Sequence, residues 1–217
     1  MKIIGITGGV GSGKSRVLSY LEDQFGAVIC QADHVAWKLQ EPGQKCYAEI
    51  VKHFSRDILH DDGTINRKKL GQIVFTDNKE LLVLNRIMHP AVKEAIVEQI
   101  KMEREKQTEY FVLEAALLLE DGYKQICDEM WYIYTDEMTR RLRLKASRAY
   151  SDEKIDAIMA SQLSEEVFRK ECQILIDNSG DFEDTCYQIE KFIKQELLYE
   201  TMQHSEWKQR KLYLCRK

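Results

Sequence analysis

The chain has 217 residues, 44% of them hydrophobic and 31% charged, the proportions of a folded globular protein; its length suits one domain, or one core carrying inserted lobes. A net charge of −4 lacks the basic excess that a polyanion binder usually carries, so no nucleic-acid partner is expected, although a local basic cluster would suffice for a phosphorylated small molecule. No apolar run reaches the ~18 residues of a membrane span.

Lys2 to Thr7 has none of the long apolar stretch of a signal peptide. Six cysteines without a C-x-x-C pair or zinc spacing read as reduced thiols, which places the expectation in the cytoplasm. No obligate protein partner is indicated.

The first predicted element is a short buried strand over Ile3 to Thr7. A glycine turn follows, then a helix from Lys14 to Gln24 that ends at Phe25-Gly26. Ala27 to Cys30 is a second strand. A long, mostly helical stretch comes next. In it Asn66 can cap Arg67 to Phe75, Asp77 or Asn78 can cap a segment ending near Ile87, and His89-Pro90 puts proline at the first position of a further helix. Trp37 and Phe75 read first as core aromatics, with contact to a second substrate as the other option.

Tyr110 to Leu113 and Met130 to Thr135 are the third and fourth strands. A second helical insertion, Glu137 to Cys172, holds Arg140, Arg141, Arg143, Lys145 and Arg148, with Ser151 and Ser164 as caps. Gln173 to Ile176 is the fifth strand. A last helix starts near Phe182, with Cys186, Ile189, Ile193 and Leu197 on its apolar face; beyond Thr201 the chain turns polar and basic. Short apolar strands alternating with helices predict an α/β fold: a P-loop NTPase-type parallel five-stranded sheet flanked by helices, with a helical acceptor-binding insertion and a helical lid.

Gly8-Gly9-Val10-Gly11-Ser12-Gly13-Lys14-Ser15 fits G-x-x-x-x-G-K-[ST], with a strand before it and a helix after it. Glycines let the backbone wrap so that its N–H groups face phosphate oxygens, and the following helix adds its positive end. The loop predicts a nucleoside triphosphate, ATP with Mg²⁺. Gly9, Val10, Gly11, Ser12, Gly13, Lys14, Ser15 and Arg16 would bind the nucleotide, with Lys14 on the β- and γ-phosphates and Ser15 on the metal. A guanine-reading N-K-x-D is missing, since Asn78-Lys79-Glu80-Leu81 lacks the aspartate. A small-molecule kinase with an acceptor lobe and a lid fits best. Asp33, just past the second strand, has two open readings: general base for an attacking hydroxyl, or cap of a helix over His34 to Leu39.

In combination, several stretches carry a resemblance. They are Gly5 to Ser15, Ala32-Asp33 with Ala36, Asp62 to Gly71, Val74-Phe75, and Leu84-Asn85 with Ile87, His89, Pro90 and Val92. Leu117-Leu118 with Glu120, Gln162, and Ile176-Asp177-Asn178-Ser179-Gly180 complete the set. They run in order over Met1 to Leu197, and in them the chain resembles the dephospho-coenzyme A kinase family.

The resemblance implies phosphorylation of the ribose 3′-hydroxyl of dephospho-CoA by ATP, the last step of coenzyme A synthesis. It implies Asp33 as the base, and Asn178 and Gly180 near the adenine. Arg67, Leu70, Asn85, His89 and Glu114, with Asp33, would serve the acceptor, and Arg141 and Arg148 would serve the phosphates from the lid. The expected partition is a nucleotide core of residues 1–30, 108–136 and 173–200, an acceptor lobe of 31–107, a lid of 137–172 and a tail of 201–217. Ala116, Leu119, Ser147 and Gln173 depart from the family pattern. Two rival readings stand beside this one: another small-molecule kinase, and a nucleotide-binding regulator without catalysis.

Overall fold

The computed structural model describes residues 1–115, 118–119 and 122–194. Ala116, Leu117, Glu120, Leu197 and the tail from Thr201, all named in the sequence reading, lie outside the described residues. Five strands form one sheet in the order β2-β3-β1-β4-β5: β1 Lys2–Thr7, β2 Val28–Gln31, β3 Tyr110–Glu114, β4 Glu129–Tyr134 and β5 Ile174–Asp177. β3 runs parallel to both neighbours, with Lys2 opposite Tyr110 and Val28 opposite Phe111. Ile4, Ile6, Val112, Leu113 and Ile133 are fully buried. Strands covered on both faces need no polar alternation, which explains their continuous apolar runs.

The chain divides into two compact units. One holds Met1–Thr7, Leu18–Trp131 and Glu171–Gln173. It contains most of α1 (Lys14–Phe25), then α2 (Ala32–Leu39), α3 (Tyr47–Phe54), α4 (Arg67–Thr76) and α5 (Asn78–Glu105). Gly26, at φ 61°, ends α1 in the left-handed conformation expected of it. Asn66 caps α4 by accepting from the Lys69 N–H, and Asp77 caps α5 by accepting from the Lys79 N–H.

The predicted break before Pro90 is absent. α5 is one helix of 28 residues with Pro90 inside it. Proline removes one intrahelical bond, at a cost of about 3 kcal/mol. Met88, Val92, Ile96 and Ile100 continue a single buried stripe across it. Burying each is worth about 1.5–3 kcal/mol, so the stripe outweighs the proline. Pro90 and Arg86 both face solvent, where water can satisfy the orphaned carbonyl.

The other unit holds Gly8–Val17, Tyr132–Lys170 and the chain from Ile174 onward. Its helices are α6 (Glu137–Arg148), α7 (Asp152–Ala160), α8 (from Glu165) and α9 (residues 182–194). Asp136 caps α6 through the Thr139 N–H, Ser151 caps α7 through the Lys154 N–H, and Ser164 accepts from the Val167 N–H at 3.4 Å. Leu144, Ile155, Ile189 and Ile193 are buried, and Phe168 stacks on Tyr132 with ring centroids 4.8 Å apart. No helix among the described residues is long and apolar enough to cross a membrane.

Candidate active site

Gly11 and Gly13 hold φ of 83° and 85°, the left-handed region that side chains avoid, so the loop can turn back on itself. Lys14 opens α1 and its ammonium donates to the Gly8 carbonyl at 2.7 Å. The first turn of α1 carries no acidic side chain. An anion meeting the positive start of that helix would face no competing carboxylate from its first turn. Ser15 is exposed in that turn.

The back of the loop is anchored by polar side chains. The Ser12 carbonyl accepts from Asn178 Nδ2 at 2.7 Å and from Thr135 Oγ1 at 3.0 Å. Asn178 is 3% exposed, and its Oδ1 accepts from the fully buried Thr185 hydroxyl at 2.9 Å. Arg143 donates to the Asn178 carbonyl at 2.9 Å and to Thr135 Oγ1 at 3.3 Å. Asn178, expected beside the adenine, thus has its amide committed to the loop itself. Gly180 is exposed, and the Arg16 guanidinium lies 3.8 Å from the centre of the Phe182 ring.

Helix α6 presents two basic faces. On one, Arg140 Nε donates to the Val10 carbonyl at 3.0 Å, and its Nη2 donates to Gln162 Oε1 at 2.8 Å. A Cβ on Gly9 would displace that guanidinium from its place against the loop. On the other face Arg141 pairs with Glu137, Asp152 and Asp156, and hydrogen bonds to Asp156 and Glu137 push its pKa above the ordinary arginine value. Arg148 is exposed, 5.8 Å from the centre of the Tyr150 ring.

Arg140 therefore bonds the phosphate loop directly and Arg143 bonds the residues that anchor it, while Arg141 is paired with carboxylates and Arg148 is exposed. Ser147, where a basic residue was expected, donates its hydroxyl to the Arg143 carbonyl at 2.7 Å. The missed signal was rotational: Arg140, Arg143, Leu144 and Ser147 share one helical face, and Leu144 is buried.

In the first unit Asp33 sits in the opening turn of α2. The helix starts at Ala32, and its N-cap, Gln31, makes no side-chain cap bond. Asp33 is therefore not a cap; it is exposed and accepts no hydrogen bond among the described residues. Gln31 Nε2 donates to Glu114 at 3.3 Å.

The expected acceptor residues divide. Arg67 lies over Trp37, 4.9 Å from the ring centre, and Trp37 is 46% exposed. Phe75 is 85% exposed, so neither aromatic belongs to the core. A cavity of about 600 Å³ has Gln40, Glu41, His60, Asn66, Arg67 and Lys68 among its lining residues. Leu70 is 3% exposed and is a core residue of α4. Asn85 and His89 are half-buried on α5, so His89 does not start a helix. Gln173, another departure from the family pattern, accepts from the Met130 N–H at 2.8 Å.

The described cysteines are free thiols, and burial raises Cys30 and Cys127 to about 12.

A family model described as dephospho-CoA kinase matches residues 2–184. The dephospho-CoA kinase of Carboxydothermus hydrogenoformans is 38% identical over 189 residues, 87% of this chain and 91% of that protein. That of Shouchella clausii is 36% identical over 186 residues, 86% and 94% of the two chains. A solved dephospho-CoA kinase from Campylobacter jejuni superposes with a TM-score of 0.68 at 26% identity, covering 90% of this chain and 97% of that one. Shikimate kinase from Acinetobacter baumannii, at 12% identity and a TM-score of 0.53 over 92% of this chain and 94% of that one, shares the fold alone.

Proposed function

This chain belongs to the dephospho-CoA kinase family, and from that premise we propose how its residues divide the work. The reaction is transfer of the γ-phosphoryl group of ATP to the ribose 3′-hydroxyl of dephospho-CoA, giving CoA and ADP. The observation that carries the assignment to this chain's own chemistry is the phosphate loop: a glycine-built turn, Lys14 at its end and an acid-free helix start behind it.

Phosphoryl transfer is governed by positioning and by stabilisation of charge on the transferring oxygens. The loop N–H groups and Lys14 hold the donor phosphates. Arg140 adds a guanidinium on the lid side. Its bond to Val10 supports this role, and it replaces Arg141, which three carboxylates already occupy. Asp33 takes the proton of the attacking hydroxyl. Its exposed carboxylate and lack of a cap bond favour that role over a structural one.

The acceptor lobe is residues 31–107. Arg67 and Lys68 line its cavity, outnumber the single acid Glu41 there and suit an anionic substrate such as dephospho-CoA, while Leu70 supports the lobe from its core. Asn85, His89 and Glu114 belong to the same acceptor reading, and Arg16 and Gly180 to the nucleotide side. Residues 137–172 form the lid, and residues 1–30, 108–136 and 173–200 the nucleotide core.

Mg²⁺ fits the donor set. The Ser15 hydroxyl is exposed and bonded to no other described group. No cluster of three His, Cys, Asp or Glu exists among the described residues. One hard oxygen donor beside substrate phosphates is how Mg²⁺ is usually held, and when bound it neutralises phosphate charge. The enzyme's place is the cytoplasm.

The test is ADP release from ATP and Mg²⁺ with and without dephospho-CoA, with the product identified by mass. Dephospho-CoA-dependent ADP with equimolar CoA supports the proposal. Nucleotide binding without turnover would favour a regulator, and turnover only with another alcohol would favour a different small-molecule kinase.

A further inference from the structure

We propose that Gln162 is a positioning residue for phosphoryl transfer, tying the Arg140 guanidinium to the backbone of the phosphate loop. The inference rests on the reading of Arg140 as the lid arginine that serves the phosphates.

Gln162 lies in the turn after α7, and its carboxamide oxygen makes two bonds at once. It accepts from the Val10 N–H at 3.2 Å and from Arg140 Nη2 at 2.8 Å. Arg140 Nε meanwhile donates to the Val10 carbonyl at 3.0 Å. The three residues close a ring that runs from the Val10 carbonyl through Arg140 and Gln162 to the Val10 N–H. The guanidinium is planar, with its donors in a fixed fork. A single bond at Nε leaves the fork free to swing about that contact. A second bond, from a different nitrogen to a second anchor, fixes its plane.

The chemistry at position 162 is restrictive. The bridge needs an acceptor with two lone pairs that carries no positive charge. A carboxylate could accept both bonds but would offset the charge on Arg140. An apolar side chain accepts neither. Glutamine bridges and leaves the cation intact. Donors already oriented before reaction stabilise developing charge without reorganising, so loosening Arg140 should act on the chemical step more than on binding.

The experiment is a double-mutant cycle with R140M, Q162M and R140M/Q162M, reading kcat, both KM values and the melting temperature. Methionine keeps most of the bulk at 162 and removes the acceptor; Q162A reports the same loss if Q162M does not fold. R140M should lower kcat at least ~100-fold, in keeping with a charge-stabilising arginine. Q162M should lower kcat ~10-fold or more, with both KM values within ~3-fold and little change in melting temperature. The double variant should be no slower than R140M, since residues acting as a unit are not additive.

If R140M turns over normally, the reading of Arg140 fails and takes this inference with it. If R140M is slow while Q162M is normal, or if the two losses simply multiply, Arg140 stands and the role given to Gln162 is overturned. A Q162M variant that only melts earlier, with kcat intact, also overturns it.

Discussion

Asp33 and Thr185 mark two ends of what a single side chain contributes here. Asp33 is exposed, lies in the first turn of α2 and caps nothing. Asp33→Asn should therefore leave the melting temperature unchanged and ATP affinity little altered. Turnover should fall by about 10²–10⁴, the usual worth of a general base. Equal losses in stability and turnover would return Asp33 to a structural role.

Thr185 is fully buried, and its hydroxyl satisfies Asn178 Oδ1. The Ser12 carbonyl can only accept, so Asn178 must turn Nδ2 toward it, and Oδ1 then needs a donor. Thr185→Val keeps the shape and orphans that oxygen, at a cost of about 1–3 kcal/mol. ATP affinity should weaken as the loop loses its anchor, and Thr185→Ser should restore both; calorimetry and thermal melts check this pair.

The loop itself was legible because G-x-x-x-x-G-K-S is local. Asn178 was legible as a motif but not in its task, because its partner, Ser12, lies 166 residues away.

At the scale of elements, α6 and α7 are bridged by ion pairs. Lys145 donates to Asp152 at 2.9 Å, and Arg141 reaches Asp152 and Asp156. The hydrogen bond from Lys145 lowers the Asp152 pKa, and hydrogen bonding by Thr139 lowers that of the α6 cap Asp136. A carboxylate depressed in the folded chain stabilises fully above its unfolded pKa of about 4 and loses that contribution as pH falls through the lower folded value. Melting temperatures from neutral pH to pH ~3 should therefore fall more steeply for the parent than for D136N/D152N. Parallel curves would mean these carboxylates contribute nothing.

Strand positions were readable to within a residue or two because buried parallel strands are continuous apolar runs. The extent of α5 was not. Proline argued for a boundary from local rules, while the stripe from Met88 to Ile100 that overrides it is a tertiary effect. The bonds of Arg140 to the loop and of Arg143 to its anchors were not legible for a related reason. Sequence lists the cations of a helix but does not say which way the helix is turned.

At the scale of the whole molecule, the loop Gly8–Val17 shares a compact unit with Tyr132–Lys170, whereas Leu18–Trp131 falls in the other unit. The fold class followed from composition and alternation, but this partition did not, since it depends on bonds such as Arg140 to Val10 and Asn178 to Ser12. Stability in such a protein comes in cooperative blocks that open separately. A ligand that binds one block only when it is closed protects every amide in that block by mass action, ~2.7 kcal/mol at a hundredfold excess over its dissociation constant. ATP alone should accordingly slow hydrogen exchange throughout α6, α7 and α8, well beyond the residues it touches. α4 and α5 should keep their unliganded rates until dephospho-CoA is added. Read in that way, the second substrate's arrival would be recorded by a different half of the exchange map from the first.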